Sequence, residues 1–357
     1  MTVLTLDQVS VEVRGQRILH DISAEIPDRA FAGVAGSSGS GKTTLLRVIA
    51  GLQKPTTGRV YFDATDVTTA ETAERDLGMA FQDPALIPTR RVERNVAFPL
   101  EIRRQTAEEI RHRVSAEARA FHIEHLLERK SDELSAGEAH LVQIARTLVR
   151  VPRALLLDEP LAALDEPLKV AMRRELAFLQ QGYGVTTVIA SNEPADFIAM
   201  CTHLLVLHEG QLVETGDPSE LRDRPGSLAA AEATGDLTVV TACVVEEMGV
   251  RLLDAAGSDG SRLRFAVSSP AFADRVGETV LVGMRPWAGR LDAGGSQRAR
   301  VIRVVPWPRP QVMCMVAGNA VMLEMSPDGP EPVRDSIVGF AVDSPFVFDA
   351  TSQRAID

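Results

Sequence analysis

The sequence predicts an α/β domain with an inserted helical subdomain, followed by a C-terminal all-β domain. Three observations carry this reading. The glycine-rich loop Gly36-Ser37-Ser38-Gly39-Ser40-Gly41-Lys42-Thr43-Thr44 lies between an apolar run and a helical pattern. Helical periodicity dominates from about residue 90 to 150, and buried-strand runs then return. Beyond residue 236 no strong helical period appears, and short strand-like runs recur between turn residues.

In order along the chain, residues 1–30 read as strands and a turn. Val9, Val11 and Val13 alternate with polar residues until Arg14-Gly15 breaks the run. Phe31, Ala32 and Val34 form a buried strand, and Leu45, Leu46, Val48 and Ile49 form a helix that stops at Gly51. Residues 57–82 read as a short β section ending at Gly78–Gln82. Thr106 with Glu109 predicts a capping box before a helix with the stripe Ile110, Val114, Ala118 and Phe121. A second helix begins near Gly137 and carries Leu141, Ile144, Ala145 and Leu148. Ala154–Leu157 and Thr186–Ser191 read as buried parallel strands. Between them Pro167 opens a helix with the inner face Met172, Leu176 and Leu179, ending before Gly182. His208-Glu209-Gly210 predicts a hairpin between 204–207 and 211–214, and 215–236 reads as a boundary. Strands are then expected at 237–245, 262–267, 279–282, 301–305, 311–316, 320–325 and 337–342, as in a small barrel or sandwich.

The 357 residues suggest two or three domains. Hydrophobic content of 45% and charged content of 24% are ordinary for a globular protein. A net charge of −11 argues against nonspecific binding to nucleic acid or an anionic membrane. The few aromatics of the tail, among them Trp287, Trp307 and Phe265, argue against base stacking there. Cys201, Cys243 and Cys314 have no metal-ligand spacing and fit a reducing compartment. Met1–Asp7 carries no basic region of a signal peptide. No apolar stretch approaches the about eighteen residues needed to cross a bilayer. Membrane spans, where the function needs them, are expected from other subunits.

The glycine-rich loop fits G-x-x-x-x-G-K-[ST] with Gly36, Gly41, Lys42 and Thr43 in the fixed places, as in a P-loop NTPase domain. Its glycines let backbone N–H groups converge on one anion. Lys42 can reach the β- and γ-phosphates, and the Thr43 hydroxyl can hold Mg²⁺. Ser135, Ala136, Gly137 and Glu138 open a helix whose start is an anion site, although a plain N-cap by Ser135 is the simpler reading. Leu155-Leu156-Leu157-Asp158-Glu159-Pro160 ends an apolar strand in two acids at the carboxyl edge of the sheet, where ligands bind in such folds. Asp158 can accept from Mg²⁺-bound water, and Glu159 can deprotonate the attacking water. His122 and His125 sit three apart with no acid or Cys cluster to complete a metal site, and His140 reads as structural.

In this order the motifs resemble the nucleotide-binding subunit of ABC transporters: phosphate loop, Gln82, the 134–138 signature, Asp158-Glu159, Leu161–Asp165 and the 191–193 switch segment. Gly283-Met284-Arg285-Pro286-Trp287 and Phe346-Val347-Phe348-Asp349 resemble tail elements of maltose-type carbohydrate importers. The resemblance covers nearly the whole chain. It implies an ATP-binding domain over 1–235, with its helical subdomain at about 83–150, and a TOBE/OB-like barrel regulatory domain over 236–357. It further implies that the whole loop, residues 36–44, cradles ATP. Thr43, Gln82 and Asp158 serve Mg²⁺ and water, Glu159 is the base, and Asn192 is the switch. Ser135, Gly137 and Asp165 complete a site shared with a second ATP-binding subunit, a homodimer in the present reading. Residues 83–100 face transmembrane permease subunits, and a solute-binding protein participates indirectly. ATP clamps the dimer and hydrolysis releases it, at the cytoplasmic face of the cell membrane; no nucleic acid is involved.

Three departures from the family pattern stand out. Asn192 occupies the histidine position of the switch; its amide donates hydrogen bonds but cannot become cationic. Val13 stands where an aromatic ring usually stacks on adenine, which gives apolar contact without a π-face. Ala136 and Glu138 replace a glycine and a glutamine of the signature. The retained Glu159 and phosphate ligands favour hydrolysis. The alternative is a hydrolysis-impaired, nucleotide-gated binding module, with Asn192 as the cause. A soluble ABC-type ATPase of repair or translation fits the regulatory tail poorly.

Overall fold

The structure, a computed structural model, describes residues 2–258, 261–292, 294–305, 311–325 and 332–356. Trp307 lies outside them. The chain falls into two compact units, Met1–Glu220 and Leu221–Asp357.

In the first unit β1 (Leu4–Val13), β2 (Gln16–Ile26), β4 (Thr57–Phe62) and β5 (Thr65–Asp66) form an antiparallel sheet. A six-stranded sheet holds β3 (Phe31–Ala35), β6 (Leu77–Ala80), β7 (Ala154–Asp158), β8 (Thr186–Ala190), β9 (His203–His208) and β10 (Gln211–Gly216), in the order β10-β9-β3-β8-β7-β6. All its pairings are parallel except β9–β10. β3, β7 and β8 are buried at every residue, as continuous apolar runs require of strands covered on both faces. The β9–β10 turn has positive φ at both Glu209 and Gly210, the geometry that matches strand twist.

Helix α1 (Lys42–Ala50) follows the phosphate loop and ends at Gly51 with φ 77°, as its glycine predicts. The helical stretch holds α2 (Val92–Ile102), α3 (Ala107–Ala120) and α4 (Ala136–Leu148). The Thr106–Glu109 capping box is formed in both directions. Helix α5 (Glu166–Tyr183) does not stop before Gly182 as the sequence suggested; it runs on to a left-handed cap at Gly184, φ 59°. One glycine inside a helix costs about 1 kcal/mol, too little to end a helix whose Leu176 and Leu179 are buried. Helix α6 (Pro194–Met200) follows β8, and α7 (Pro218–Asp223) and α8 (Leu228–Ala233) lie in the stretch read as a boundary.

The second unit is strand-rich, as predicted. Among the described residues its strands are β11 (Thr238–Glu247), β12 (Val250–Ala256), β13 (Arg262–Val267), β14 (Thr279–Met284), β15 (Gly289–Leu291), β16 (Gln297–Val305), β17 (Gln311–Val316), β18 (Asn319–Glu324), β19 (Ile337–Val342) and β20 (Phe346–Asp349). Strands β16, β17, β18, β15 and β19 pair in a closed ring, a small barrel, because β17 bonds to both β16 and β18. Arg285, just after β14, is 4% exposed. It donates to Ala231 O (2.8 Å), Gly235 O (2.6 Å) and Thr234 Oγ1 (3.0 Å), so it ties down the end of α8. Burial lowers its pKa to about 10.

Candidate functional site

The phosphate loop leaves the carboxyl end of β3. Gly36 has φ 149°, and a Cβ there would lie 2.3 Å from Leu207 O. Gly41 has φ 104°, and its Cβ would lie 2.6 Å from Leu19 Cδ2. Both positions therefore demand glycine. Ser37, Ser38 and Gly39 are exposed, while Ser40 and Gly41 are buried. No side chain caps α1 at Gly41, so its first N–H groups remain available to an anion.

Lys42 is only 5% exposed and uses all three ammonium protons. Its Nζ donates to Gly36 O (2.9 Å), Ser37 O (3.0 Å) and Asn192 Oδ1 (2.6 Å). Burial lowers its pKa, against the opposing pull of Glu159 and Asp158. Asn192 Nδ2 donates in turn to Glu159 Oε1 at 2.9 Å. Beside this chain, Thr43 Oγ1 donates to Asp158 Oδ1 at 3.0 Å. Burial raises the Asp158 carboxyl above its ordinary value, although Thr43's hydrogen bond pulls the other way. Glu159 adopts φ 47°, a left-handed conformation uncommon for glutamate, and its N–H continues the β7–β8 ladder to Ala190 O at 3.0 Å.

Lys42, Thr43, Asp158, Glu159 and Asn192 are thus joined in one constellation. The other expected residues have separate places. Gln82 follows β6 with an exposed side chain, and its carbonyl lies 3.0 Å from His140 Nε2. His140 is buried, with Nδ1 2.9 Å from Ala136 O, and so ties the signature helix to the Gln82 segment. Ser135 caps α4 in an exposed capping box. Its N–H and Oγ both donate to Glu138 Oε2 at 2.8 Å, and the backbone bond from Ser135 holds the Glu138 carboxyl below its usual range. Gly137 is buried, and a Cβ there would lie 2.5 Å from Leu168 Cδ2. Asp165 caps α5, accepting from Leu168 N at 3.0 Å. Val13 is 42% exposed at the end of β1. Among the described residues no hydrogen bond joins these side chains to the Lys42 constellation.

Behind Asn192 lies a charged cluster that the motif reading did not find. Arg173, 5% exposed, donates to Asp196 Oδ1 (2.7 Å), Glu193 Oε2 (2.8 Å) and Glu166 Oε1 (3.0 Å). Lys169 also pairs with Glu193. The i,i+4 spacing of the two cations and the i,i+3 spacing of the two acids were the available signals.

Comparison with known proteins gives the class. The ABC transporter family model matches residues 19–162. The sn-glycerol-3-phosphate import ATP-binding protein UgpC of Ruegeria pomeroyi is 34% identical over 84% of this chain and 83% of its own length. The sulfoquinovosyl glycerol transport ATP-binding protein SmoE of Agrobacterium fabrum is 31% identical over 100% of both chains. Among solved structures, cbiO1 from Clostridium perfringens, part of the ABC transporter complex cbiONQ, aligns with TM-score 0.58 at 29% identity. That alignment covers 62% of this chain and 90% of cbiO1. A nucleotide-free ATP-binding cassette from an ABC transporter gives TM-score 0.59 at 25% identity over 65% and 98% of the two chains. The chain belongs to the ATP-binding subunits of ABC transporters. It is an ATPase of that family.

Proposed function

We propose that this ATPase drives import of a carbohydrate or a related polyol conjugate, moved across the membrane by separate permease subunits.

 The observation that carries this reading is the Lys42–Asn192–Glu159 chain beside the Thr43–Asp158 pair. It gathers an ammonium, a carboxamide, two carboxylates and a hydroxyl at one sheet edge. The hydroxyl and carboxylate suit Mg²⁺, which takes oxygen ligands. We assign Thr43, Asp158 and Gln82 to that ion, which supplies charge neutralisation on the phosphates when bound. The loop residues 36–44 hold the triphosphate, and Lys42 exchanges its carbonyl partners for phosphate oxygens. Glu159 accepts the proton of the attacking water, and Asn192 orients Glu159. Val13 gives the base an apolar contact. Ser135, Gly137 and Asp165 act across a head-to-tail dimer on the nucleotide held by the second copy.

The same reading assigns residues 1–235 to ATP binding, with the helical part at about 83–150, and residues 236–357 to regulation. An open groove lined by Ala85, Ile87, Phe98, Pro99 and Ile102 supports a permease contact at 83–100. No helix among the described residues is long and apolar enough to cross a membrane. We place the subunit on the cytoplasmic face, held by its permease, on the resemblance to import ATP-binding subunits. The carbohydrate direction is supported by the names of the relatives and by the tail motif built round Arg285.

Co-purification from detergent-solubilised membranes tests the importer reading. The tagged chain is expected to bring down transmembrane permease subunits, and Phe98→Asp is expected to release them while free-subunit turnover persists. A chain that stays partnerless would end the importer reading and leave the ATPase assignment standing.

A further inference from the structure

We propose that Arg173 is a positioning residue for hydrolysis: it grips Glu193 and Asp196, the acids that follow Asn192, and so holds the Asn192 carboxamide between Lys42 and Glu159. The proposal rests on the assignment of Glu159 as base.

Asn192 lies in the short link between β8 and α6. Its amide is not symmetric in use. Oδ1 faces the Lys42 ammonium, which only donates, so Nδ2 must face the Glu159 carboxylate. Asn192 itself is exposed, so no packing fixes that orientation. Its neighbours are fixed instead. Ser191 Oγ donates to Asp196 Oδ2 at 2.5 Å and accepts from Glu193 N at 3.0 Å. Glu193 does not cap α6 with its side chain; its carboxylate is held by Arg173 and Lys169. Asp196 is 2% exposed and bonded to Arg173 Nε. Arg173 therefore anchors the link directly after Asn192, through Glu193 and Asp196, and indirectly before it, through the Ser191–Asp196 hydrogen bond. It sits on α5, the helix that Asp165 caps after the Glu159 turn, so the base and the switch share one support. A displacement of about 1 Å at a positioned group can cost on the order of a hundredfold in rate.

Steady-state ATPase is measured for wild type, Arg173→Gln, Asn192→Ala and the double variant, with Glu159→Gln as control. Arg173→Gln is expected to lower kcat about tenfold or more, with KM for ATP moving less than about threefold. In the Asn192→Ala background the same change is expected to add less than about twofold, because its effect runs through Asn192. Equal losses in both backgrounds, a loss confined to KM, or an unchanged kcat would each overturn the proposal. Should Arg173→Gln melt below the assay temperature, Glu193→Gln carries the same comparison with the same expected outcomes. An inactive Glu159→Gln beside a fully active Arg173→Gln sinks only the Arg173 proposal; a fully active Glu159→Gln sinks the base assignment.

Discussion

Asp158 sits at the end of a fully buried strand, and burial raises its carboxyl pKa. Between the unfolded value, about 3.9, and the raised one, the folded state binds more protons than the unfolded state. Stability therefore falls as pH rises through that window, and the burden of burying the ionised carboxylate persists at neutral pH. Asp158→Asn removes the charge and keeps an oxygen to accept from Thr43. The variant is expected to be more stable than wild type by about 1 kcal/mol at pH 7.5, by a margin that shrinks as pH falls, and to lose ATP turnover. Thermal melts across pH check this; a lower melting temperature at pH 7.5 would contradict it. At this scale the motifs made Lys42, Thr43, Asp158 and Glu159 legible, because their spacing to strand and helix ends is local; Asn192 was legible only through the family resemblance. Arg173 was not, because its partners Glu193 and Asp196 lie across a strand and a turn.

Helix α1 has a counterpart to its phosphate end. Arg75, 1% exposed, lies across its carboxyl terminus and donates to Val48 O (2.7 Å) and Ile49 O (2.8 Å), and also to Thr68 O (3.1 Å) and Ala70 O (3.2 Å). Gly51 makes room, since a Cβ there would lie 2.7 Å from Arg75 Nε. A cation at this end complements the helix dipole. Burying the guanidinium costs several kcal/mol, and burial lowers its pKa. Four charge-assisted bonds at about 1.5–3 kcal/mol each outweigh that cost. Arg75→Met is expected to lower stability by about 2 kcal/mol or more, measured by urea unfolding with an unchanged m-value; a change under about 0.5 kcal/mol would contradict this account. Long apolar or capped elements such as β7, α1 and α3 were legible. Strands β12, β15 and β20 were not read: β15 has three residues and β20 four, too short for a period-2 pattern, and the seven residues of β12 do not alternate apolar with polar.

For the whole molecule, the strand order does the assembling. β6, β7, β8 and β3 are successive neighbours, and their carboxyl ends lead to Gln82, to Asp158-Glu159, to Asn192 and to the phosphate loop. Residues up to 156 positions apart in sequence (Gly36 to Asn192) thus meet at one sheet edge. Motif order implies that meeting, but only the β-sheet pairings place the groups within hydrogen-bond reach. The C-terminal strand class was legible from its turns; the ring closure between β16 and β17 was not, because pairing is non-local.

Phosphate release by the purified protein at saturating Mg²⁺ and ATP tests the central claim most directly. The account predicts measurable steady-state turnover in wild type and a loss of about a hundredfold or more in Glu159→Gln, with ATP still bound. Equal release by the two proteins would contradict it.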